Sequence, residues 1–529
     1  MWDIAPIHAT RAKDCQGEVR IAFAHLSFRK VARTRAVRSK ALFSAHFPAL
    51  GLLNLAQQLR DRFPNRHLRG WVRYFDEEAY ETRDEMESAI REWLRPASLG
   101  LLGMSTYTSS IDHVADYCRR FIADDVLIVL GGAHVTVVPD DLPCHVIVRG
   151  EGCEALVTII ESLGTPDFVT RARTAGICCQ LGQTRIDGRA ATDNSIETTS
   201  VPGFAYDLLS DLGPGTYATS YTRLLGVNPQ IYVCTQSCRA RCSFCSTYLI
   251  HRRMQARSVE LIAQDLTLLR NHGYDSIEFH DDDLLQHPDF DALLAVLRQL
   301  QLPWFCYARS EILDENVAEK MAEAGCRRVF LGLEAMTQSS LDYLNKATTV
   351  EQNRTAAAAL DRQGIGAVSG FIIGLPHHTV TDVLAELDAF LALPLFAISC
   401  NVLTPDPRTR EFMRARRRSD ELQAALGGSS GLTVIPDIQR WGLDQPVGLP
   451  SVCTAIDKQT LNDLVSVIEY AFYLRPHVTD ALYSSARTQT QRDVITAYLA
   501  FVRARLAERE PHVTDDLVRA RIAELKVSG

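Results

Sequence analysis

The chain has 529 residues, 46% of them hydrophobic, and a formal net charge of −8. That length exceeds one ordinary core and predicts two or three domains, while the acidic balance leaves no chain-wide basic field for gathering nucleic acid by phosphate neutralisation. Residues 1–20 lack the apolar stretch of a signal peptide, and no apolar run approaches the roughly 20 residues that span a bilayer, so a cytoplasmic protein with no membrane span and no nucleic-acid partner is expected.

In chain order, residues 19–163 alternate short apolar runs (VRIAFAHL, LGLLGMST, DVLIVLGGAH, CHVIVRGEG) with amphipathic ones (LGLLNLAQQLRDRF, SSIDHVADYCRRFIA, CEALVTIIESL). This is the rhythm of a doubly wound, Rossmann-like α/β domain, assigned to residues 1–164. Its strands end in Ser105-Thr106-Tyr107, Gly131-Gly132 and Gly150-Glu151-Gly152, where such folds bind ligands. A basic loop follows the first strand, with Arg29, Lys30, Arg33, Arg35, Arg38 and Lys40. It reads either as a solvated loop or as one that closes over a ligand.

Residues 165–228 read as a connector, with a hairpin around Gly182 and Gly188 and a turn at Gly213-Pro214-Gly215. From QIYV at 230–233 a second strand–helix alternation repeats about six times, predicting a partial (β/α)6 barrel over 229–411 with its chemistry at the strand C-terminal ends. Residues 412–529 turn helical and are assigned to a C-terminal cap. Its Tyr470, Phe472, Tyr473 and Arg475 either cover the barrel mouth or sit in the core, where aromatic side chains are more often found.

Of the fourteen cysteines, Cys178, Cys179, Cys306, Cys326 and Cys400 lie in apolar surroundings and read as small core hydrophobes. Cys238, Cys242 and Cys245 differ, forming a C-x3-C-x2-C set directly after the first barrel strand. Three thiolates hold three irons of a [4Fe–4S] cubane and leave the fourth open to a chelating substrate such as the amine and carboxylate of S-adenosylmethionine (SAM). Phe244 puts an apolar ring beside that site. Structural zinc is the competing reading, with Cys234 as a fourth thiol, but four cysteines in twelve residues make a cramped tetrahedral site.

The loop and its aromatic residue resemble the signature of the radical SAM superfamily. The resemblance continues through Phe279-His280-Asp281-Asp282-Asp283, Tyr307-Ala308-Arg309-Ser310, Gly332-Leu333-Glu334, residues 344–353, and Phe371-Ile372-Ile373-Gly374-Leu375-Pro376. It implies SAM contacts from Phe244, Asp281, Asp282, Arg309 and Glu334. From sequence alone the aspartates also suit a solvated loop, and Arg309 and Glu334 also suit each other as an ion pair.

The N-terminal strand ends resemble the cobalamin-binding domain that precedes many radical SAM barrels, with Ser105, Thr106, Tyr107, Gly131, Gly132, Thr136, Gly150, Glu151 and Gly152 as the implied contacts. Two departures stand out: no Asp-x-His-x-x-Gly occurs, so that motif supplies no lower cobalt ligand, and Cys153 stands where related domains often carry an acid. The resemblance implies three cofactors: the [4Fe–4S] cluster, SAM and cobalamin. It also implies an external one-electron reductant and a small-molecule substrate. The implied activity is C- or P-methyl transfer through reductive SAM cleavage and methylcobalamin. The alternatives are a radical dehydratase, cyclase or rearrangement enzyme with a non-methylating cobalamin domain, and a non-catalytic iron–sulfur or zinc module.

Overall fold

Two sheets organise the computed structural model, which describes residues 1–13, 17–26, 47–107, 111–137, 142–189, 203–212, 228–250, 254–403, 409–415, 417, 452–486 and 489–528. The basic loop at 29–40 and the turn at 213–215 lie outside these residues. The first sheet contains β1 (Val19–His25), β2 (Val72–Asp76), β3 (Leu99–Ser105), β4 (Val126–Gly131), β5 (Val146–Val148), β6 (Ile177–Leu181) and β7 (Thr184–Asp187), in the spatial order β2-β1-β3-β4-β5-β6-β7. The first five are parallel; β6 and β7 add to the β5 edge as an antiparallel hairpin.

Side-chain alternation explains the two covered faces. Val19, Ile21 and Phe23 pack with the helices Leu50–Arg62 and Cys153–Ser162, whereas Ala22 and Ala24 pack with Arg83–Leu94 and Ile111–Arg120. The chain reverses its direction of travel across the sheet between β1 and β3, which opens a crevice beyond their C-terminal ends. The expected hairpin forms, with Gly182 at φ +55°, but it belongs to the first sheet rather than to a connector. Its backbone pairs with the β5 edge, so the sheet continues past residue 165.

The second sheet is built from β8 (Pro229–Tyr232), β11 (Ser276–Phe279), β12 (Trp304–Ala308), β13 (Cys326–Glu334), β14 (Gly366–Ile373) and β15 (Leu395–Val402), all parallel and neighbouring in chain order. A short antiparallel pair, β9 (Thr235–Gln236) with β10 (Gln255–Ala256), stands at its start. Ile277, Phe279, Trp304, Cys306, Val329 and Leu331 join the large core shared with the helices. The alternate residues Glu278, Phe305, Tyr307 and Arg328 face the barrel interior. The strands run in an open arc from β8 to β15, the expected partial barrel.

Helix Lys458–Tyr473 lies against β15, whose edge it closes. Tyr473 is fully buried, and its hydroxyl accepts from Ile398 N–H at 3.1 Å and donates to Ile398 C=O at 2.5 Å. A side chain thereby satisfies main-chain groups that would otherwise form an open sheet edge. Phe472 is buried in the same core, Tyr470 packs against it, and Arg475 donates to Leu391 C=O at 2.5 Å. These residues seal the side of the sheet, not the barrel mouth. Cys178, Cys179, Cys306, Cys326 and Cys400 are all buried, and no helix among the described residues is long and apolar enough to cross a membrane.

Candidate functional site: a cysteine loop facing a glycine-lined cavity

The cysteine loop leaves β9 through Ser237, a non-glycine residue at φ +75°. Three contacts then dock it on a second loop: Ser243 N–H donates to Leu344 C=O at 2.8 Å, Ser243 Oγ to Tyr343 C=O at 3.3 Å, and Asn345 Nδ2 to Arg241 C=O at 2.6 Å. Within the loop Cys242 is buried while Cys238 and Cys245 are half-buried. Every sulfur has a donor nearby. Ala240 N–H and Gln286 Nε2 each lie 3.4 Å from Cys238 Sγ, Arg309 Nη1 lies 3.4 Å from Cys242 Sγ, and Thr247 hydrogen-bonds Cys245.

Burial raises the Cys238 and Cys245 thiols above their ordinary value, so metal binding must displace protons that burial retains. Cys234 is not part of this group. It is fully buried in the core beneath the loop, and among the described residues no three His, Cys, Asp or Glu side chains converge on a single ion. A cubane takes each thiolate on a different iron, with N–H donors to the sulfurs, and the donor set fits that group.

The residues expected around SAM divide into two sets. Asp281 turns inward: it is 1% exposed, and its carboxylate accepts from Cys234 N–H at 3.0 Å, Thr235 N–H at 2.5 Å and Thr235 Oγ at 2.6 Å. Both its oxygens are engaged in fixing the strand end that launches the cysteine loop. Burial, working against those bonds, pushes its pKa up to about 6. Asp282, the next residue, points the other way, is exposed, and accepts from Thr247 Oγ1 at 3.0 Å.

Arg309 is 6% exposed and bonds Glu311, the Lys346 carbonyl and Cys242 Sγ. Burial opposes its charge, but Glu311 and Cys242 hold the guanidinium pKa above its ordinary value. The alternative Arg309–Glu334 pair does not form. Glu334 is instead approached by Lys346 Nζ at 3.4 Å, and Lys346 is 4% exposed. Glu334 adopts φ +64°, a costly conformation for a residue with a Cβ. Two glycines make room for it: a Cβ at Gly370 would sit 2.5 Å from Glu334 Oε2, and one at Gly332 would sit 3.0 Å from Lys346 Nζ. Phe244 is half-buried against a small cluster containing Leu341, Leu344 and Leu375. Lys346 falls within the 344–353 stretch of the resemblance, but its pairing with Glu334 is visible only in three dimensions.

The crevice of the first sheet is a cavity of about 430 Å³. Ser105, Tyr107, Gly131, Gly132, Thr136, Gly150, Glu151 and Gly152 all line it. Thr106 does not: it is fully buried, and its hydroxyl and N–H both donate to Gly131 C=O, at 2.7 and 2.8 Å. Its hydroxyl and N–H lock the β3 loop to the β4 loop. Gly132 permits that closure at φ +100°, since a Cβ there would lie 2.7 Å from Ser105 Oγ. Thr136 Oγ1 accepts from Gly150 N–H at 3.1 Å while lining the cavity. Cys153, at the start of its helix, is half-buried, and the neighbouring Glu154 is exposed.

The opposite wall comes from the barrel: Val233, Thr235, Gln236, Ser237, His280 and Asp282. Leu50, Gly51, Asn54, Leu55 and Phe204 complete it. Sequence patterning did not single these out, because helix and linker residues carry no local sign of what they face. The chain from Val233 to Ser237 leads straight into Cys238, so one side of the cavity is the approach to the cysteine loop. Gly131 projects no side chain into this space, and a Cβ built on it would meet nothing within 4 Å. A bare glycine face opposite a wall of mixed polarity fits a large planar ligand with a tail.

Comparison with known proteins agrees with this geometry. Residues 232–389 match the Radical SAM superfamily and residues 41–160 the B12 binding domain. An uncharacterized methyltransferase of Pyrococcus horikoshii is 26% identical over 69% of this chain and 77% of its own length. The anaerobic magnesium-protoporphyrin IX monomethyl ester cyclase of Cereibacter sphaeroides is 27% identical over 57% of this chain, which spans half of that protein. Among solved structures, the radical SAM methyltransferase TsrM of Kitasatospora setae, with cobalamin and a [4Fe–4S] cluster bound, superposes with a TM-score of 0.58 at 18% identity, covering 76% of this chain and 75% of that one. The chain thus joins a B12 binding domain to a radical SAM domain, a pairing that supports a cobalamin-binding radical SAM methyltransferase family. Its cofactors are a [4Fe–4S] cluster, SAM and cobalamin.

Proposed function

We propose that this enzyme methylates a carbon or phosphorus centre of a small-molecule biosynthetic intermediate, drawing electrons from an external one-electron reductant. The observation that carries the reading is the single cavity walled on one side by the glycine-ended strands of the first sheet and on the other by the residues leading into Cys238. That wall runs from the crevice of the first sheet to Ser237, the residue before Cys238, which supports a reading in which cobalamin lies next to the cluster and SAM. When bound, the cluster supplies an electron to SAM and cobalamin carries the methyl group.

The chain's own residues supply the rest. Cys238, Cys242 and Cys245 hold the cluster; Glu334, set by Lys346 and given room by Gly370, offers a carboxylate to the ribose hydroxyls of SAM; Asp282 faces the cavity from the barrel side. Ser105 and Thr136 offer hydroxyls, and Gly131, Gly150 and Gly152 offer close approach to the corrin and its tail.

A second reading is favoured by the similarity to the cyclase: radical ring closure or rearrangement with a cobalamin domain that transfers no methyl group. Anaerobic reconstitution with iron, sulfide and hydroxocobalamin, then incubation with SAM and dithionite, separates the two. Bound corrin with both 5′-deoxyadenosine and S-adenosylhomocysteine, lost in Cys242→Ala, is expected for methyl transfer. 5′-Deoxyadenosine from protein that retains no corrin would reject it in favour of the second reading.

A further inference from the structure

The carboxamide of Gln286 is held by three groups at once. Its Oε1 accepts from the Arg239 backbone N–H at 2.9 Å, while its Nε2 donates to Asp283 Oδ2 at 2.7 Å and lies 3.4 Å from Cys238 Sγ. These partners decide which end of the amide is nitrogen. Reversing it would set a carbonyl oxygen against a carboxylate and an NH2 group against a backbone N–H.

Asp283 is itself 2% exposed and caps the short turn Leu284–Gln286 by accepting from Leu285 N–H at 3.3 Å. The donor is thus aimed at the sulfur by buried, local structure rather than by a mobile surface side chain. Ala240 N–H reaches the same sulfur at 3.4 Å, so Cys238 receives one backbone donor and one side-chain donor. This side of the loop borders a cleft of about 840 Å³ that Gln286 and Arg239 both line.

Hydrogen bonds to a cluster's sulfurs stabilise its more negative, reduced state over its oxidised state, and so raise the reduction potential. We propose that Gln286, oriented by Asp283, is a positioning residue that acts through the Cys238 thiolate to make the cluster easier to reduce. This rests on the cluster reading given above. Arg309 makes the corresponding contact to Cys242 but also bonds the Lys346 carbonyl and Glu311; Gln286 has one loop contact besides the sulfur, the Arg239 N–H, so its potential shift is read together with a direct nitrogen coupling.

The test uses Gln286→Met, which keeps the length and approximate volume of the side chain and removes both its N–H donors and the Oε1 acceptor of Arg239 N–H. After anaerobic reconstitution, iron and sulfide content are measured and the cluster is titrated with mediators under paramagnetic-resonance detection. Wild-type loading with a more negative midpoint potential is expected. Pulsed resonance on wild-type protein carrying heavy-nitrogen glutamine should show a coupling to glutamine nitrogen that Gln286→Met abolishes. A variant that titrates at the wild-type potential overturns the proposal, as does labelled wild type without such a coupling. Should the variant fail to load, the labelled wild type alone decides. Wild type that takes up no cluster overturns the cluster reading and this inference together, an outcome distinct from an unshifted potential.

Discussion

Gly131→Ala isolates the cobalamin site from the fold that carries it. Gly131 ends β4 outside the left-handed region, lines the cavity, and has nothing within 4 Å of the place where a Cβ would stand. A methyl group there strains no backbone and displaces no protein atom. Replacing glycine by alanine at a compatible position stabilises a chain by about 0.4–1 kcal/mol through its unfolded state, so the variant should melt at or slightly above the wild-type temperature. The same methyl group intrudes on a ligand that fills the cavity, at a cost of about 1–3 kcal/mol for overpacking. That corresponds to roughly 5- to 150-fold weaker binding. Anaerobic titration with hydroxocobalamin, paired with thermal melts of the corrin-free proteins, measures both terms. Unchanged affinity at an unchanged melting temperature would remove Gly131 from the corrin face and refute the cavity assignment.

Two further substitutions examine the barrel side. Gly370→Ala places a Cβ 2.5 Å from Glu334 Oε2. Because the glutamate backbone is already at φ +64°, the carboxylate must swing away from its Lys346 partner. SAM affinity of the cluster-loaded protein, read by calorimetry, should fall about tenfold, as for loss of one charge-assisted hydrogen bond of about 1.5 kcal/mol, while cobalamin uptake stays at the wild-type level; unaltered SAM affinity would exclude the Glu334 role. Asp281→Asn addresses the strand anchor. Burial raises the Asp281 pKa from 3.8 to about 6, so the folded state holds this proton more tightly than the unfolded state. The stability this proton contributes is present below pH ~4 and is lost as pH rises through ~6, a change of about 3 kcal/mol at 1.36 kcal/mol per pKa unit. Asparagine does not titrate, so the wild-type-minus-variant stability from denaturant unfolding should fall by that amount between pH ~4 and pH ~7; a flat difference would show that Asp281 is not buried as an acid.

What the sequence made legible was whatever is written locally. The alternation of apolar runs gave both sheets, the glycine-bearing strand ends gave most of one cavity wall, and the spacing of Cys238, Cys242 and Cys245 gave the loop. What was not legible has one physical origin: it concerns groups whose partners are remote in sequence. Asp281 and Asp282 are adjacent and chemically identical, yet one ends inside the β8 terminus and the other on the cavity, because successive residues leaving β11 point in opposite directions. Thr106 looked like a ligand contact until Gly131 C=O claimed its hydroxyl. The β6–β7 hairpin was visible, but its docking on the β5 edge depends on pairing with Val146, Ile147 and Val148, which no local signal encodes.

The same reasoning explains why the two cofactor regions cannot be treated as independent modules even though each matches a separate family description. Thr235 lines the cavity and also donates to Asp281, and Asp281 in turn holds the Cys234 backbone at the root of the cysteine loop. At the loop's other end Thr247 contacts Cys245 and donates to Asp282, which again faces the cavity. Both ends of the cluster-binding segment are therefore tied to cavity-wall residues. A ligand that orders that wall also restricts the loop, and ordering shared by two sites is a cost that the second ligand need not meet again. The expected outcome is that hydroxocobalamin slows the loss of cluster iron to a chelator and, by linkage, that the loaded cluster tightens corrin binding to the same degree; equal iron loss with and without corrin would exclude the coupling.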